Sequence, residues 1–112
     1  VSAIAFQIML ALADQDRHGV AIMQEVLVRT RGTMRLWPAM LYRNLRNLQR
    51  DGLIAEVAGD AARGAAAAAS TGAGRPRFFR LTSAGRRACA AEARRLATFV
   101  DAARDKRLLG RR

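Results

Sequence analysis

Arg43, Arg46, Asn47 and Arg50 are spaced so that one helix would carry them together. At about 100° per residue they fall on one arc with Ala39. Arginine can reach guanine or phosphate and asparagine can pair with adenine, so such an arc suits the reading of a DNA groove. A solvated surface face has the same composition, and the helix alone does not separate the two. Leu41, Leu45 and Leu48 recur at i, i+4 and i+7 and form the opposite, apolar stripe. Pro38 suits the first turn, where its missing N–H is no loss. Gly52 suits the position after the last turn.

The remaining chemistry-bearing residues are isolated. His18 is the one histidine and has no second histidine or cysteine near it in sequence, so metal-ligand spacing is absent. No Ser/His/Asp or Cys/His set can be assembled, and one histidine leaves little for general-base work. No glycine-rich phosphate loop precedes a helix with a lysine. The expectation is a protein that is not an enzyme and has no metal or cofactor. Cys89 is the one cysteine, so no intrachain disulfide can form and a reducing cytosol is the natural compartment. No signal peptide is visible, and no apolar run approaches a membrane span.

The 112 residues suit one domain, and the net charge of +11 is almost wholly arginine. Such a balance favours a polyanionic partner. Coding bias can raise Arg and Ala together, so distribution weighs more than the total. Residues 1–35 carry +1, residues 36–58 carry +1, residues 59–81 carry +3 and residues 82–112 carry +6.

The elements that must position these residues follow from periodicity. Residues 2–13 are almost wholly apolar and predict a first helix, with Ser2 able to cap it. Asp14 to Gly19 reads as a polar turn. A second helix is expected over about Val20–Thr30, with Ile22, Met23, Val26 and Leu27 inward. Met34-Arg35-Leu36 is a short extended connector, held out of helix by Pro38. Leu53–Val57 and Arg75–Leu81 alternate as two strands, with Pro76 confined to an edge or strand start. Between them residues 58–74 are low-complexity Ala/Gly/Ser and suit a long loop. Thr82 is a good N-cap for a long helix to about Leu109. Along it Cys89, Ala93, Leu96, Val100 and Ala103 repeat in steps of four and three, a coiled-coil-like seam.

Helix, helix, helix, strand, loop, strand, long helix is the order of a winged helix-turn-helix followed by a dimerisation helix. The fold class is mostly α with a small β-hairpin. The expected division is a DNA-binding domain over 1–81 and a dimerisation helix over 82–112. In this arrangement the third helix enters the major groove and the wing meets backbone or minor groove. The wing holds Arg63 in its loop and Arg75, Arg77 and Arg80 on or beside its second strand. Both elements that would press on DNA therefore carry arginine.

Across His18–Ile22, Trp37–Leu45, Leu48–Ile54 and Arg77–Arg86 the chain resembles the PadR-type winged-helix transcription regulators. The resemblance covers nearly everything except residues 58–74. It implies a homodimeric repressor whose C-terminal helix packs on the partner subunit, with release by a small-molecule effector at that interface. Tyr42 matches the family's recognition-helix tyrosine, which implies a phosphate or base-edge contact. Four departures stand out. Val20 occupies a position usually aromatic. Ala39-Met40 replaces a small or hydroxylated pair, leaving apolar contact to a thymine methyl in place of hydrogen bonds. Phe78-Phe79 replaces paired tyrosines, and Ser83 replaces a common proline.

The expected DNA-binding set is thus Pro38, Tyr42, Arg43, Arg46, Asn47, Arg50, Arg75 and Arg77, and the expected dimer seam is Cys89, Ala93, Leu96, Val100 and Ala103. Arg77 leads among the wing residues because the strand fixes it, and Arg86 and Arg87 lie close enough to the wing to touch phosphate. Trp37 reads as a hydrophobic staple against Leu41, with an effector pocket or a DNA contact as its alternatives. Cys89 reads as a small buried hydrophobe rather than a redox switch. The expected function is a sequence-specific DNA-binding regulator, most simply a homodimeric repressor on an inverted repeat. The principal rival is a winged-helix adaptor for protein partners that has lost specific DNA binding. An RNA-binding role is disfavoured because Phe6, Phe78 and Phe99 fall on apolar stripes. Membrane insertion is disfavoured because the seam of the last helix is poor in large apolar residues.

Overall fold

The structure is a computed structural model that describes residues 1–57 and 77–110. The described elements run α1 (Ala3–Ala11), β1 (Arg17–His18), α2 (Gly19–Arg29), α3 (Pro38–Arg50), β2 (Ile54–Val57), β3 (Phe78–Leu81) and α4 (Ser83–Asp105). The loop read over 58–74, with Arg63, and the Arg75-Pro76 start of the second strand lie outside the described residues.

Each helix begins and ends where local chemistry satisfies its free backbone groups. The Ser2 hydroxyl accepts from the Ala5 amide at 3.0 Å and starts α1. The Thr82 hydroxyl accepts from the Gly85 amide at 3.0 Å and starts α4. Helix α2 is capped by a residue the sequence did not single out for it: His18 Nδ1 accepts from the Ala21 amide at 3.2 Å. At the end of α3, Gly52 takes φ +76° and lets the Leu53 amide donate back to the Leu48 carbonyl at 2.9 Å. A residue with a Cβ would resist that left-handed conformation.

The sheet has three antiparallel strands in the order β1-β3-β2, one more than the expected hairpin. The added strand comes from the stretch read as a polar turn, where Arg17 pairs with Phe79 and His18 with Phe78. Two residues are too short for alternation to be visible in sequence, so only the pairing reveals β1. On the other side of β3, Ile54 pairs with Leu81 and Glu56 with Phe79.

The core lies between the three N-terminal helices and the sheet. Ile8, Met9, Ile22, Val26, Leu41, Leu45 and Phe79 are its fully buried large side chains. The leucine stripe of α3 is buried as its spacing predicts. The stapling role assigned to Trp37 does not hold. Trp37 is itself the N-cap of α3 and is 61% exposed. A staple joins the residue before the cap to the fourth helical residue, and here those are Leu36 and Leu41, both buried in the core.

The turn after α3, the base of β3 and the start of α4 are tied together. Thr82 donates its amide to the Leu53 carbonyl at 3.1 Å and its hydroxyl to the Gly52 carbonyl at 2.7 Å. Gly85 sits so close beneath that a Cβ there would lie 1.9 Å from the Leu53 carbonyl oxygen. The expected division at residues 81 and 82 falls between β3 and α4, and α4 packs on α1 and β3. Helix α4 ends at Asp105, short of the expected Leu109.

Candidate nucleic-acid interface

Helix α3 turns a face of defined composition away from the core. Ala39, Arg43, Arg46, Asn47 and Arg50 are all exposed on it. Its two halves differ in electrostatic state. At the C-terminal end Arg50 donates to Asn47 Oδ1 at 3.2 Å and to Asp51 Oδ1 at 3.2 Å, so part of its charge is already answered. Arg43 and Arg46, in the middle of the helix, have no acidic partner among the described residues. Among the described residues, then, no acid has to be displaced before these two guanidinium groups meet an incoming anion.

Tyr42 and Asn44 flank this face. Tyr42 is half-buried, packed on the core, and its hydroxyl lies over Gly19 at the start of α2. A Cβ at Gly19 would come within 2.5 Å of that hydroxyl oxygen, so the glycine makes room for the ring. Asn44 spends an amide N–H on the Met40 carbonyl, 2.9 Å away within its own helix. Met40 is half-buried against the core, which removes it from the outward face where its neighbour Ala39 stands.

The turn that leads into α3 is apolar and open. Trp37, Pro38 and Ala39 are exposed in succession. A surface groove of about 280 Å³ runs between this turn and α2, lined by residues that include Val20, Leu27, Trp37 and Pro38. The Arg35 guanidinium lies 5.7 Å from the Trp37 ring centre, a cation–π contact that holds a positive charge beside the turn.

The strands carry arginine in a different condition. Arg77 donates through Nη2 and Nε to Glu56 Oε1, at 2.8 and 3.2 Å, and its guanidinium lies 5.4 Å from the Phe79 ring centre. Glu56 is opposite Phe79 in the register, so Glu56, Phe79 and Arg77 share one sheet face, with the ion pair above the ring. Hydrogen bonding from Arg77 holds the Glu56 carboxyl below its ordinary range. Arg80, on the other face, grips Asp16 with Nη2 and Nε at 2.9 and 3.2 Å. Both wing arginines among the described residues thus have acidic partners, a pairing that residue counts along the chain do not reveal. Arg75 lies outside the described residues. Of the pair placed near the wing, Arg86 donates to the Ala13 carbonyl at 3.1 Å, and Arg87 is exposed.

The seam residues of α4 are not in one environment. Cys89 is buried against the chain's own core, and burial raises its thiol pKa. Leu96 is half-buried at the edge of the core, Ala93 and Val100 are exposed, and Ala103 is half-buried. Phe99, which broadens the seam, is 56% exposed and is covered on one side by the Arg95 guanidinium at 5.2 Å. Among the described residues no His/Cys/Asp/Glu cluster has the composition of a metal site. No described helix is long and apolar enough to cross a membrane.

This arrangement, a second helix and a third carrying a basic outward face, followed by strands and a long helix, is a winged helix-turn-helix. The transcriptional regulator PadR-like family matches residues 8–91, three quarters of the chain, and the chain belongs to that family, one of regulators rather than catalysts. No curated protein matches the sequence. Solved structures share the fold. A transcriptional regulator from Clostridium thermocellum aligns with a TM-score of 0.70 at 16% identity, over 91% of this chain and 90% of that one. A PadR family transcription regulator from Clostridium difficile aligns with a TM-score of 0.70 at 20% identity, over 93% and 97%. Bacillus subtilis PadR, solved in complex with operator DNA, aligns with a TM-score of 0.65 at 13% identity, over 82% of this chain and 47% of that longer one.

Proposed function

We propose that this regulator binds operator DNA as a homodimer and represses transcription by occupying a promoter. The observation that carries the reading is the outward face of α3, where Arg43 and Arg46 are exposed and without acidic partners among the described residues. Helix α3 is the second helix of the helix-turn-helix, the element that lies in the major groove in this class of fold. Arg43 and Arg46 supply guanine or phosphate contacts, Asn47 and Arg50 extend the contact toward the helix end, Tyr42 meets the backbone at its flank, and Pro38 stands on the leading turn. Arg75 and Arg77 belong to the wing contact. Arg77 must exchange Glu56 for a phosphate, which makes it the weaker contributor.

The second half of α4 supports the dimer. Leu96, Phe99, Val100 and Ala103 place partly or fully exposed apolar surface along a helix with seam-like spacing. A two-fold dimer presents two copies of α3, so the operator is an inverted repeat with half-sites about 34 Å apart, one helical turn, or a multiple of it. Release by a small-molecule effector at the dimer interface is the means of control that goes with this assembly.

Selection from random duplex DNA tests the reading. The wild-type protein is expected to enrich a palindromic site, and Arg43→Ala with Arg46→Ala is expected to abolish its binding. Enrichment of no sequence, or equal binding by the double variant, would sink the proposal and favour an adaptor for protein partners.

A further inference from the structure

We infer that the apolar turn leading into α3 is a thymine reader: Ala39, two residues after the exposed Trp37, takes up a thymine C5-methyl group in each operator half-site. The inference rests on the DNA-binding reading above and gives it a base preference. The N-terminal residues of a docked recognition helix are those that meet base edges. Here those residues are Trp37, Pro38 and Ala39, exposed and apolar, while the first charged side chain of the outward face is Arg43, one turn further on.

The polar alternatives near this turn are occupied or turned away. Asn44 uses its amide on the Met40 carbonyl, and Met40 itself packs on the core. The leading turn offers only the Trp37 indole N–H, a donor, and a base edge presented to Ala39 itself meets no polar side-chain atom. Guanine, adenine and cytosine all offer polar atoms to the major groove at this depth, whereas thymine adds a methyl group that gains from an apolar contact. A polar edge held there would lose its water and receive nothing in return.

The surroundings favour DNA as the occupant of this patch. Arg35 stacks on the ring of Trp37, and no acid among the described residues pairs with it. Arg43 follows on the same outward face. The apolar turn is thus bracketed by positive charge, which complements a base flanked by two phosphates rather than an apolar segment of another protein. The backbone at Trp37 is fixed by its neighbour. It is extended at φ −93° and ψ 152°, a conformation that the following Pro38 favours.

Single replacement of each operator thymine by deoxyuridine tests this, because it removes the methyl group and leaves every hydrogen-bonding atom. One or two positions per half-site are expected to lose affinity by about threefold to tenfold, the scale of one buried methyl. In Ala39→Gly the thymine-to-uracil ratio at those positions should fall to one, and in Trp37→Ala it should fall part of the way. A selected site at which every uracil replacement is neutral would overturn the inference and leave operator binding standing. Uracil penalties that persist unchanged in both variants would overturn it as well, since the methyl would be read elsewhere. Enrichment of no site at all would instead be a failure of the DNA-binding reading itself.

Discussion

Arg46 on α3 and Arg77 at the entry to β3 are the same residue type at two places that a winged helix turns toward DNA, yet they stand in opposite conditions. Arg46 has no acidic partner among the described residues, whereas Arg77 holds Glu56 through two hydrogen bonds and lies over Phe79. Arg80 repeats the pattern of Arg77 with Asp16. A phosphate approaching Arg43 or Arg46 would displace no acid among the described residues. One approaching the described part of the wing must first displace a carboxylate, and what it gains is the difference between two pairings. Net charge cannot register this distinction, because a paired arginine and an unpaired one count alike. On the proposed reading the recognition helix supplies most of the affinity and the base preference, and these wing arginines contribute less.

The largest expected effect separates the two regions directly. Losing Arg43 and Arg46 together should weaken binding to the selected operator by about a hundredfold or more, since each arginine contact is worth roughly 1–3 kcal/mol. Losing Arg77 and Arg80 together should cost about tenfold or less, and titration by fluorescence anisotropy compares the two. Next comes Gly85→Ala, which should leave the α3 face chemically intact while forcing α4 away from the Leu53 carbonyl. We expect a loss of about 1–3 kcal/mol in denaturant unfolding, the usual scale of overpacking. A smaller effect sharpens the comparison from the other side. Glu56→Gln frees Arg77 and should raise operator affinity by about twofold to fivefold, the equivalent of one exposed ion pair.

The smallest effect is one of pH. The folded protein holds the Glu56 carboxyl below its unfolded value. Its contribution to stability is therefore complete above the unfolded value, about 4.3, and is lost as pH falls through the lower folded one. The pair is about half exposed on both sides, so the contribution is below about 1 kcal/mol. Thermal melts of wild type and Glu56→Gln should differ slightly at neutral pH and converge in acid.

Much of this molecule was legible in its sequence, and for physical reasons. The α3 face could be read because helical periodicity fixes which residues share an arc, and Leu41, Leu45 and Leu48 left no doubt about which arc is buried. The caps at Ser2 and Thr82 could be read because a single hydroxyl in the right place suffices. Strand β1 could not, since two residues carry no periodicity and their pairing with β3 spans some sixty residues of chain. The periodicity points to Trp37 for the staple, but a staple and a cap differ by one position, and Leu36 fills the role. The state of Arg77 and Arg80 was hidden for the same reason as β1. Their partners Glu56 and Asp16 lie 21 and 64 residues away, and only the folded sheet brings them together.

The salt dependence of operator binding tests the central claim most directly, measured side by side for wild type, Arg46→Ala and Arg77→Ala. Each phosphate neutralised contributes about 0.9 to the slope of log affinity against log salt. The account predicts a slope shallower by about one unit for Arg46→Ala and a clearly smaller change for Arg77→Ala, whose phosphate contact competes with Glu56. A shallower slope for Arg77→Ala, with Arg46→Ala parallel to wild type, would contradict it.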